Sequence, residues 1–276
     1  MREGIADLHI HTVYSDGTLT PAEVVARAVA NGVELLSICD HNAVEGSLAT
    51  EPLARAAGLR FVRGVEIDSM FAGQDAHILC YGADFQHPEL MHRIRDARHR
   101  LDDMSDRLLE RMLADYPQLD AEEYAAMVFD SRLGGWKLLQ YLMRKGVTHS
   151  LREGFPFYDR YGVTYASAGF RPAEEIVAAI HDAGGRAVLA HPGVTFGETK
   201  DGLYPTLETA HNLGIDGIEC FYPKHSPAFT EFLAAFCRER NLDITAGSDC
   251  HGAFGTADVG ETRTPARTIR LTLRNS

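Results

Sequence analysis

The 276-residue chain predicts an α/β fold, a barrel in which strands and helices alternate. Two observations carry that expectation. Short runs rich in Val, Ile and Leu recur with helical stretches between them, the order that builds βα units. His, Asp and Glu groups also sit at or beside the carboxyl ends of such runs, and loops leaving the carboxyl ends of parallel strands are where such a barrel gathers its functional side chains.

The first strand closes on Asp7-Leu8-His9-Ile10-His11-Thr12. Residues i and i+2 of a strand share a face, so His9 and His11 project together and can grip one ion, and Asp16 in Ser15-Asp16-Gly17 returns a carboxylate. Thr20-Pro21-Ala22-Glu23 is a capping box with Pro at the first helical position, which starts a helix. Residues 35–39 form the second strand and end on Asp40-His41. A helix over 48–57 and a third strand over 59–67, carrying Glu66, come next, and a short strand over 78–81 lies beside His77. Residues 88–116 turn charged and helical, with Met91, Ile94, Leu101, Met104, Leu108 and Met112 spaced three, four or seven apart as a packing stripe. Residues 98–167 break the rhythm with two or three helices and a Gly- and Tyr-containing loop over 155–169. The chain therefore divides into a barrel of residues 1–97 and 168–276 and a helical insertion, 98–167. The rhythm resumes with a helix over 173–183 and a strand over 186–190 that ends on His191. A strand over 217–221, a helix capped by Ser226-Pro227 and a last strand over 242–246 complete it, followed by Asp249-Cys250-His251.

Imidazole nitrogens mixed with carboxylate oxygens suit zinc, manganese or iron, whereas calcium or magnesium favours an all-oxygen shell. Five cysteines, an odd number with no C-x-x-C pair, argue against a disulfide framework or a thiolate zinc site. The net charge of −12, from 39 acidic and 27 basic residues, has the wrong sign for a broad nucleic-acid surface, so a small phosphorylated metabolite is the expected partner and extended nucleic acid is disfavoured. No apolar run approaches the roughly 20 residues that cross a bilayer, and no leader precedes the first strand, so a cytoplasmic enzyme away from membranes is expected. No G-x-x-x-x-G-K-[ST] loop is present. The oligomeric state is left open, and His87, His92, His99, His149, His181 and His211 are expected at the surface.

At His9, His11, Asp16, His41, Glu66, His77, His191, Asp249 and His251 the chain resembles the polymerase and histidinol phosphatase (PHP) family of metal-dependent phosphoesterases. Ser15-Asp16-Gly17, Leu189-Ala190-His191-Pro192-Gly193 and Gly247-Ser248-Asp249 are similar to stretches in its short bacterial members, which are nucleotide or sugar-phosphate phosphoesterases. The resemblance implies a distorted (β/α)7 barrel whose helical insertion covers the metal rim. It implies three divalent ions, manganese first, with zinc or iron as alternatives. His9, His11, Glu66 and Asp249 would hold one ion, Glu66, His77 and His191 a second, and Asp16, His41 and His251 the third, with Glu66 bridging.

The expected reaction is metal-dependent hydrolysis of a phosphate ester in a small nucleotide or ribose phosphate. The chain would be a nucleoside 3′,5′-bisphosphate phosphatase or a cyclic phosphate phosphodiesterase, and a hydroxide bridging two ions would attack phosphorus. The alternatives are an exonuclease on short oligonucleotides and a noncatalytic metal-stabilised scaffold, for which lost ligands would be expected. Asp16 stands where histidinol phosphatases of the family tend to use histidine. Asp7 and Asp40 are expected to orient ligand imidazoles or to shuttle a proton. His225, in Tyr222-Pro223-Lys224-His225-Ser226, and Arg171 match recurrent positions of the short members and are read either as phosphate-binding or proton-donating groups, or as a helix-start hydrogen bond and an ion pair. Many short members open an insertion helix with Gly-Arg-Pro-His; here Gly134-Gly135-Trp136-Lys137 stands instead. Lys137 at that helix start would meet a phosphate or remain solvated, and Trp136 would stack on a base or pack.

Overall fold

The strands anticipated from the apolar runs lie side by side, in chain order, in one seven-stranded sheet: β1 (Ile5–Asp7), β2 (Val33–Ile38), β3 (Arg60–Phe71), β4 (Gln74–Tyr81), β5 (Arg186–Leu189), β6 (Gly217–Phe221) and β7 (Asp243–Ala246). The computed structural model describes residues 4–273. Past β1 and β7 the two edges meet. The Leu8 N–H donates to the Ala246 carbonyl (2.8 Å), the Asp249 N–H to the His9 carbonyl (2.8 Å) and the His11 N–H to the Cys250 carbonyl (3.0 Å), so the sheet wraps round as a barrel does.

Between β3 and β4 the βα rhythm breaks. β3 runs on to Phe71, turns through Ala72 and Gly73 (φ 50° and 75°) and returns as β4, antiparallel to β3 and also to β5. Two consecutive positive φ values are what a two-residue type I′ hairpin demands, and its twist matches the flanking strands. No helix intervenes. Because β4 runs against the other strands, its N-terminal half lies at the rim where they end. His77 thus reaches the site from inside a reversed strand, paired with Asp68, and not from a strand's carboxyl end.

Helix α1 (Pro21–Asn31) starts at the predicted capping box, with Thr20 and Glu23 satisfying each other's backbone N–H, and stops at left-handed Gly32. α2 (Glu45–Ala56) follows β2. α3 (Pro88–Met112) runs unbroken through residue 98, the expected start of the insertion, and buries Leu90, Ile94, Leu101, Met104, Leu108 and Met112. The same apolar cluster holds Val65 and Ile67 of β3, so one core serves barrel and insertion alike. Truncating a buried leucine there to alanine would cost roughly 2–5 kcal/mol.

The insertion continues with α4 (Ala121–Ala126), α5 (Lys137–Arg144), a 3-10 turn (Leu151–Gly154), α6 (Phe155–Arg160) and α7 (Tyr165–Ala168). Residues 155–169, expected as a loop, are largely helical because Pro156 sits in the first turn of α6 and Thr164 and Ser167 cap α7 reciprocally. α8 (Ala173–Asp182), α9 (Pro192–Phe196), α10 (Lys200–Leu213) and α11 (Pro227–Glu239) complete the helices. Among the described residues no helix is long and apolar enough to cross a membrane. None of the six histidines expected at the surface is buried.

Candidate metal centre

The rim gathers all nine side chains singled out from the sequence around one carboxylate, Glu66, which is fully buried. Its Oε2 lies 3.2 Å from His9 Nε2, 3.2 Å from His11 Nε2 and 3.3 Å from His41 Nε2. Its Oε1 faces the other way, 3.0 Å from His77 Nδ1 and 3.1 Å from His191 Nε2. Asp249 Oδ1 is 3.1 Å from His11 Nε2, and Asp16 Oδ2 is 3.2 Å from His251 Nε2. Three sets have donor atoms close enough to share an ion: His9, His11, Glu66 and Asp249; His41, Glu66 and His77; and His11, Asp16, His41 and His251. The first set coincides with the expected one. Across the three sets His11, His41 and Glu66 each serve twice, while His191 belongs to none and its Nε2 meets Glu66 alone.

Backbone geometry at the strand ends aims these groups inward. His191 (φ 26°) and Asp249 (φ 54°) both adopt positive φ, as does Asn42 (φ 51°) beside His41. Such conformations cost on the order of 1–3 kcal/mol each in non-glycine residues and gather at functional sites.

The donor set fits divalent cations. His9 Nε2 and His11 Nε2 face each other at 3.1 Å, buried Glu66 Oε2 makes no hydrogen bond although three ring nitrogens surround it, and His191 Nδ1 is likewise buried without a partner. Unsatisfied buried polar atoms are costly, and a cation placed among lone pairs and carboxylates relieves them. Without ions, protons take that place. Burial opposes the charged form of His9, yet the Glu66 and Glu219 carboxylates hold its pKa well above the ordinary histidine value. Against the same opposition, Asp16 and Asp249 lift His251 to about 9. Burial would raise Glu66 and Asp249, but the histidines around them hold both well below the usual carboxylate range. Metal binding at such a site releases protons.

Two acids that the sequence reading passed over set the imidazoles in place. Glu219 of β6 accepts from His9 Nδ1 (3.0 Å) through Oε1 and from the His191 backbone N–H (2.9 Å) through Oε2. Asp68 of β3 accepts from His41 Nδ1 (3.0 Å), and the Asp249 carbonyl from His251 Nδ1 (2.8 Å). With an ion bound, each bond would hold the proton on Nδ1 and leave Nε2 bare toward the cluster. The only sequence sign of Asp68 is its i+2 spacing from Glu66, and for Glu219 its place in an apolar strand. Gly247 lets these parts close up, since a Cβ there would collide with His9 Cβ and Glu219 Oε1. Gly247→Ala is therefore expected to destabilise the protein by on the order of 1–3 kcal/mol and to loosen metal binding. Denaturant midpoints of stripped and metal-loaded protein would read both effects, and unchanged midpoints would show that the contact is slack.

Asp7 and Asp40, expected to orient imidazoles, hold the scaffold instead. Asp7 accepts the Ser248 N–H (2.9 Å) and the Gly260 N–H (2.6 Å), and burial raises its pKa to about 6. Asp40 accepts the Thr12 N–H and Oγ1–H (both 2.7 Å) and the Ser15 hydroxyl (2.6 Å), pinning the loop that presents Asp16. Backbone amides and hydroxyls lie nearer to these carboxylates than any ring nitrogen. His225 is spent on both sides as well. Its Nδ1 donates to the Cys220 carbonyl (3.1 Å), its Nε2 accepts the Gly193 N–H (3.2 Å), and burial lowers its pKa, an arrangement that ties β6 to α9.

The expected substrate cations also turn elsewhere. Lys137 Nζ donates to the Ala125 carbonyl (3.2 Å) and lies 4.7 Å over the Tyr124 ring, in a cavity of about 550 Å³ whose lining includes none of the nine residues. Arg171 Nε pairs with Asp96 (3.0 Å), the ion-pair alternative. Trp136 does approach the cluster. Gly134 and Gly135, both left-handed, pack against the Asp16 loop, with the Gly135 N–H on the Asp16 carbonyl (2.9 Å), and set the indole 5.9 Å from the His41 ring. Two tyrosines join it. The Tyr222 hydroxyl donates to Asp249 Oδ2 (2.9 Å), and the Tyr165 hydroxyl stands 3.5 Å from His77 Nε2.

Known proteins share this architecture. A 3′,5′-nucleoside bisphosphate phosphatase of Chromobacterium violaceum is 31% identical over 270 residues, which cover 93% of this chain and 90% of that protein. The 5′-3′ exoribonuclease Rnm of Escherichia coli is 30% identical over 259 residues, covering 93% of this chain and 88% of the relative. Among solved structures, a chain of Bifidobacterium adolescentis named for metal-dependent phosphoesterase activity superposes with a TM-score of 0.76 at 24% identity, over 97% of this chain and 94% of that one, a likeness of fold. The PHP domain model matches residues 7–183, and the chain belongs to the PHP domain family.

Proposed function

We propose that this chain hydrolyses a phosphate ester in a small nucleotide or ribose phosphate, using divalent metal ions held on the nine rim side chains. Glu66 carries the proposal, because its two oxygens face separate groups of imidazoles, Oε2 toward His9, His11 and His41 and Oε1 toward His77 and His191. A carboxylate so placed is suited to bridge ions. We assign His9, His11, Glu66 and Asp249 to one ion, Glu66, His77 and His191 to a second, and Asp16, His41 and His251 to a third, with manganese first and zinc or iron as alternatives. Ions bound there would acidify a water and neutralise phosphate oxygens. The chain's own part is positional. Glu219, Asp68 and the Asp249 carbonyl keep Nε2 unprotonated on three ligands, Asp40 and Gly135 fix the Asp16 loop, and deep burial of the cluster strengthens every charge interaction within it. Five free, buried cysteines suit a reducing compartment, and we place the protein in the cytoplasm.

A second substrate class, short oligonucleotides, finds support in an aromatic slot of about 320 Å³ beside His77, lined by Trp136, Phe155, Tyr158 and Tyr165. Bases stack on such faces whatever their sequence. The net charge of −12 favours the small substrate.

Phosphate release and product mass, read for manganese-reconstituted and metal-stripped protein against a nucleoside 3′,5′-bisphosphate, a ribose cyclic phosphate and a short oligonucleotide, test the proposal. Metal-dependent turnover of a small ester is expected. Turnover of the oligonucleotide alone would shift the assignment to an exonuclease, and turnover of none by metal-loaded protein would leave a scaffold.

A further inference from the structure

Asp16, His41 and His251 differ from the rest of the cluster in what stands behind them. His9, His11, Glu66 and Asp249 take their polar partners from barrel residues: one another, Glu219 and Tyr222. Each member of the other group meets the insertion. The Gly135 N–H donates to the Asp16 carbonyl (2.9 Å), and the Trp136 indole lies 5.9 Å from the His41 ring. Phe254, whose ring is 6.0 Å from that of His251, accepts Arg152 on its carbonyl (3.2 and 3.0 Å). Residues 130–136 are held from within by Gln140 of α5, a buried amide that touches none of the nine ligands. Its Oε1 accepts the Asp130 N–H (3.1 Å), and its Nε2 donates to the Asp130 and Gly134 carbonyls (2.8 and 2.9 Å). Both amide donors are thus spent on the loop, closing it at two points. From outside, Arg132 forks onto Glu23 of α1 (2.6 and 2.9 Å).

We propose that Gln140 is a positioning residue through which the insertion sets the affinity of one ion, that of Asp16, His41 and His251, while the barrel alone sets that of His9, His11, Glu66 and Asp249. The inference rests on the metal assignment proposed above and divides the labour within it. The route from Gln140 to the ligands is short. It fixes Gly134, and a Cβ there would stand 2.7 Å from both the Asp16 carbonyl oxygen and Phe254 Cβ. Only a glycine fits so close, so the Asp16 loop and the segment after His251 are wedged against residues 130–136. Loosening that loop releases the supports of two ligands of one ion together, and supports of this kind are worth about 10- to 100-fold in metal affinity. His9 keeps its own support in Glu219. Loading of one ion is thereby tied to the seating of the insertion on the rim.

Trp136 is the single tryptophan of the chain and lies beside His41, so quenching of its emission by paramagnetic manganese reports this one ion. The test titrates manganese into the metal-stripped full chain of wild type, Gln140→Leu and Gly134→Ala, reading emission and, by elemental analysis after dialysis, the total metal bound. The two variants disturb the loop from opposite sides, one from the core and one from the rim, so neither depends on the other folding. In both, the manganese concentration at half-quenching is expected to rise about tenfold, with one ion fewer retained and the remaining ions bound as in wild type. Wild-type midpoints in both variants overturn the proposal, as does an equal weakening of every ion, which would mean that the loop merely supports the fold. Absence of quenching in wild type overturns it too. Binding is read without substrate, so the two ideas fail differently. A shifted midpoint in a protein that turns over no ester would refute hydrolysis and keep the role of Gln140, whereas turnover with unshifted midpoints would refute that role and keep hydrolysis.

Discussion

Glu66→Gln is expected to lower kcat on the order of 10³-fold, the scale on which losing one preorganised electrostatic partner acts, and to leave the barrel folded. The isosteric amide keeps the volume of a fully buried side chain, so the core around it is not opened. Its chemistry is wrong on one side whichever way it turns. With the amide nitrogen toward His77 and His191, two ring nitrogens meet a donor; turned about, three do. The negative charge that both groups share is gone. Elemental analysis after dialysis should show a loss of bound metal relative to wild type, with circular dichroism unchanged. Full activity with full metal content in Glu66→Gln would remove Glu66 from the centre of the mechanism.

Glu219→Gln, at a residue that would touch neither metal nor substrate, is expected to weaken metal affinity by about 10- to 100-fold. Glu219 provides two acceptors, one for His9 Nδ1 and one for the His191 N–H. Glutamine has one. If its oxygen keeps the His191 N–H, its amide donates to His9 Nδ1, the ring proton moves to Nε2, and the nitrogen aimed at Glu66 and Asp249 can no longer act as a ligand. If the oxygen keeps His9, the His191 N–H faces a donor and the strained backbone there loses its restraint. Chelator competition measures the affinity directly, and Asp68→Asn offers the parallel case at His41. Wild-type affinity in both variants would mean that the tautomers are set by something else.

The parts of the site visible in the sequence are those written locally. His-x-His on one strand, Asp-His after another and Asp-Cys-His after the last each carry their geometry in their spacing, and the structure brings all nine residues together. The helix starts at Thr20 and Ser226 were legible for the same reason, since a cap is made within one turn. What depends on remote pairing was not. Glu219 acquires meaning only when the fold carries β6 to within side-chain reach of His9, 210 residues away. Asp7 and Asp40 look like orienting carboxylates because they neighbour histidines in sequence, while in space they meet amides and hydroxyls. The reversal of β4 rests on Ala72-Gly73, in which only the glycine is a turn signal. Lys137 stood at a helix start, but its side chain folds back on the Ala125 carbonyl.

That hairpin also gives the centre a history in time. Glu66 and His77 meet across a contact of 11 residues, closed by a tight turn, and units of that kind form in roughly 1–10 μs. His9 meets Glu219 and Asp249 only after the chain has brought its distant segments together, the slow kind of closure. By that ordering Glu66 and one imidazole are expected to meet before most of the barrel has closed. An ion captured at that stage would draw the later ligands toward a point already fixed.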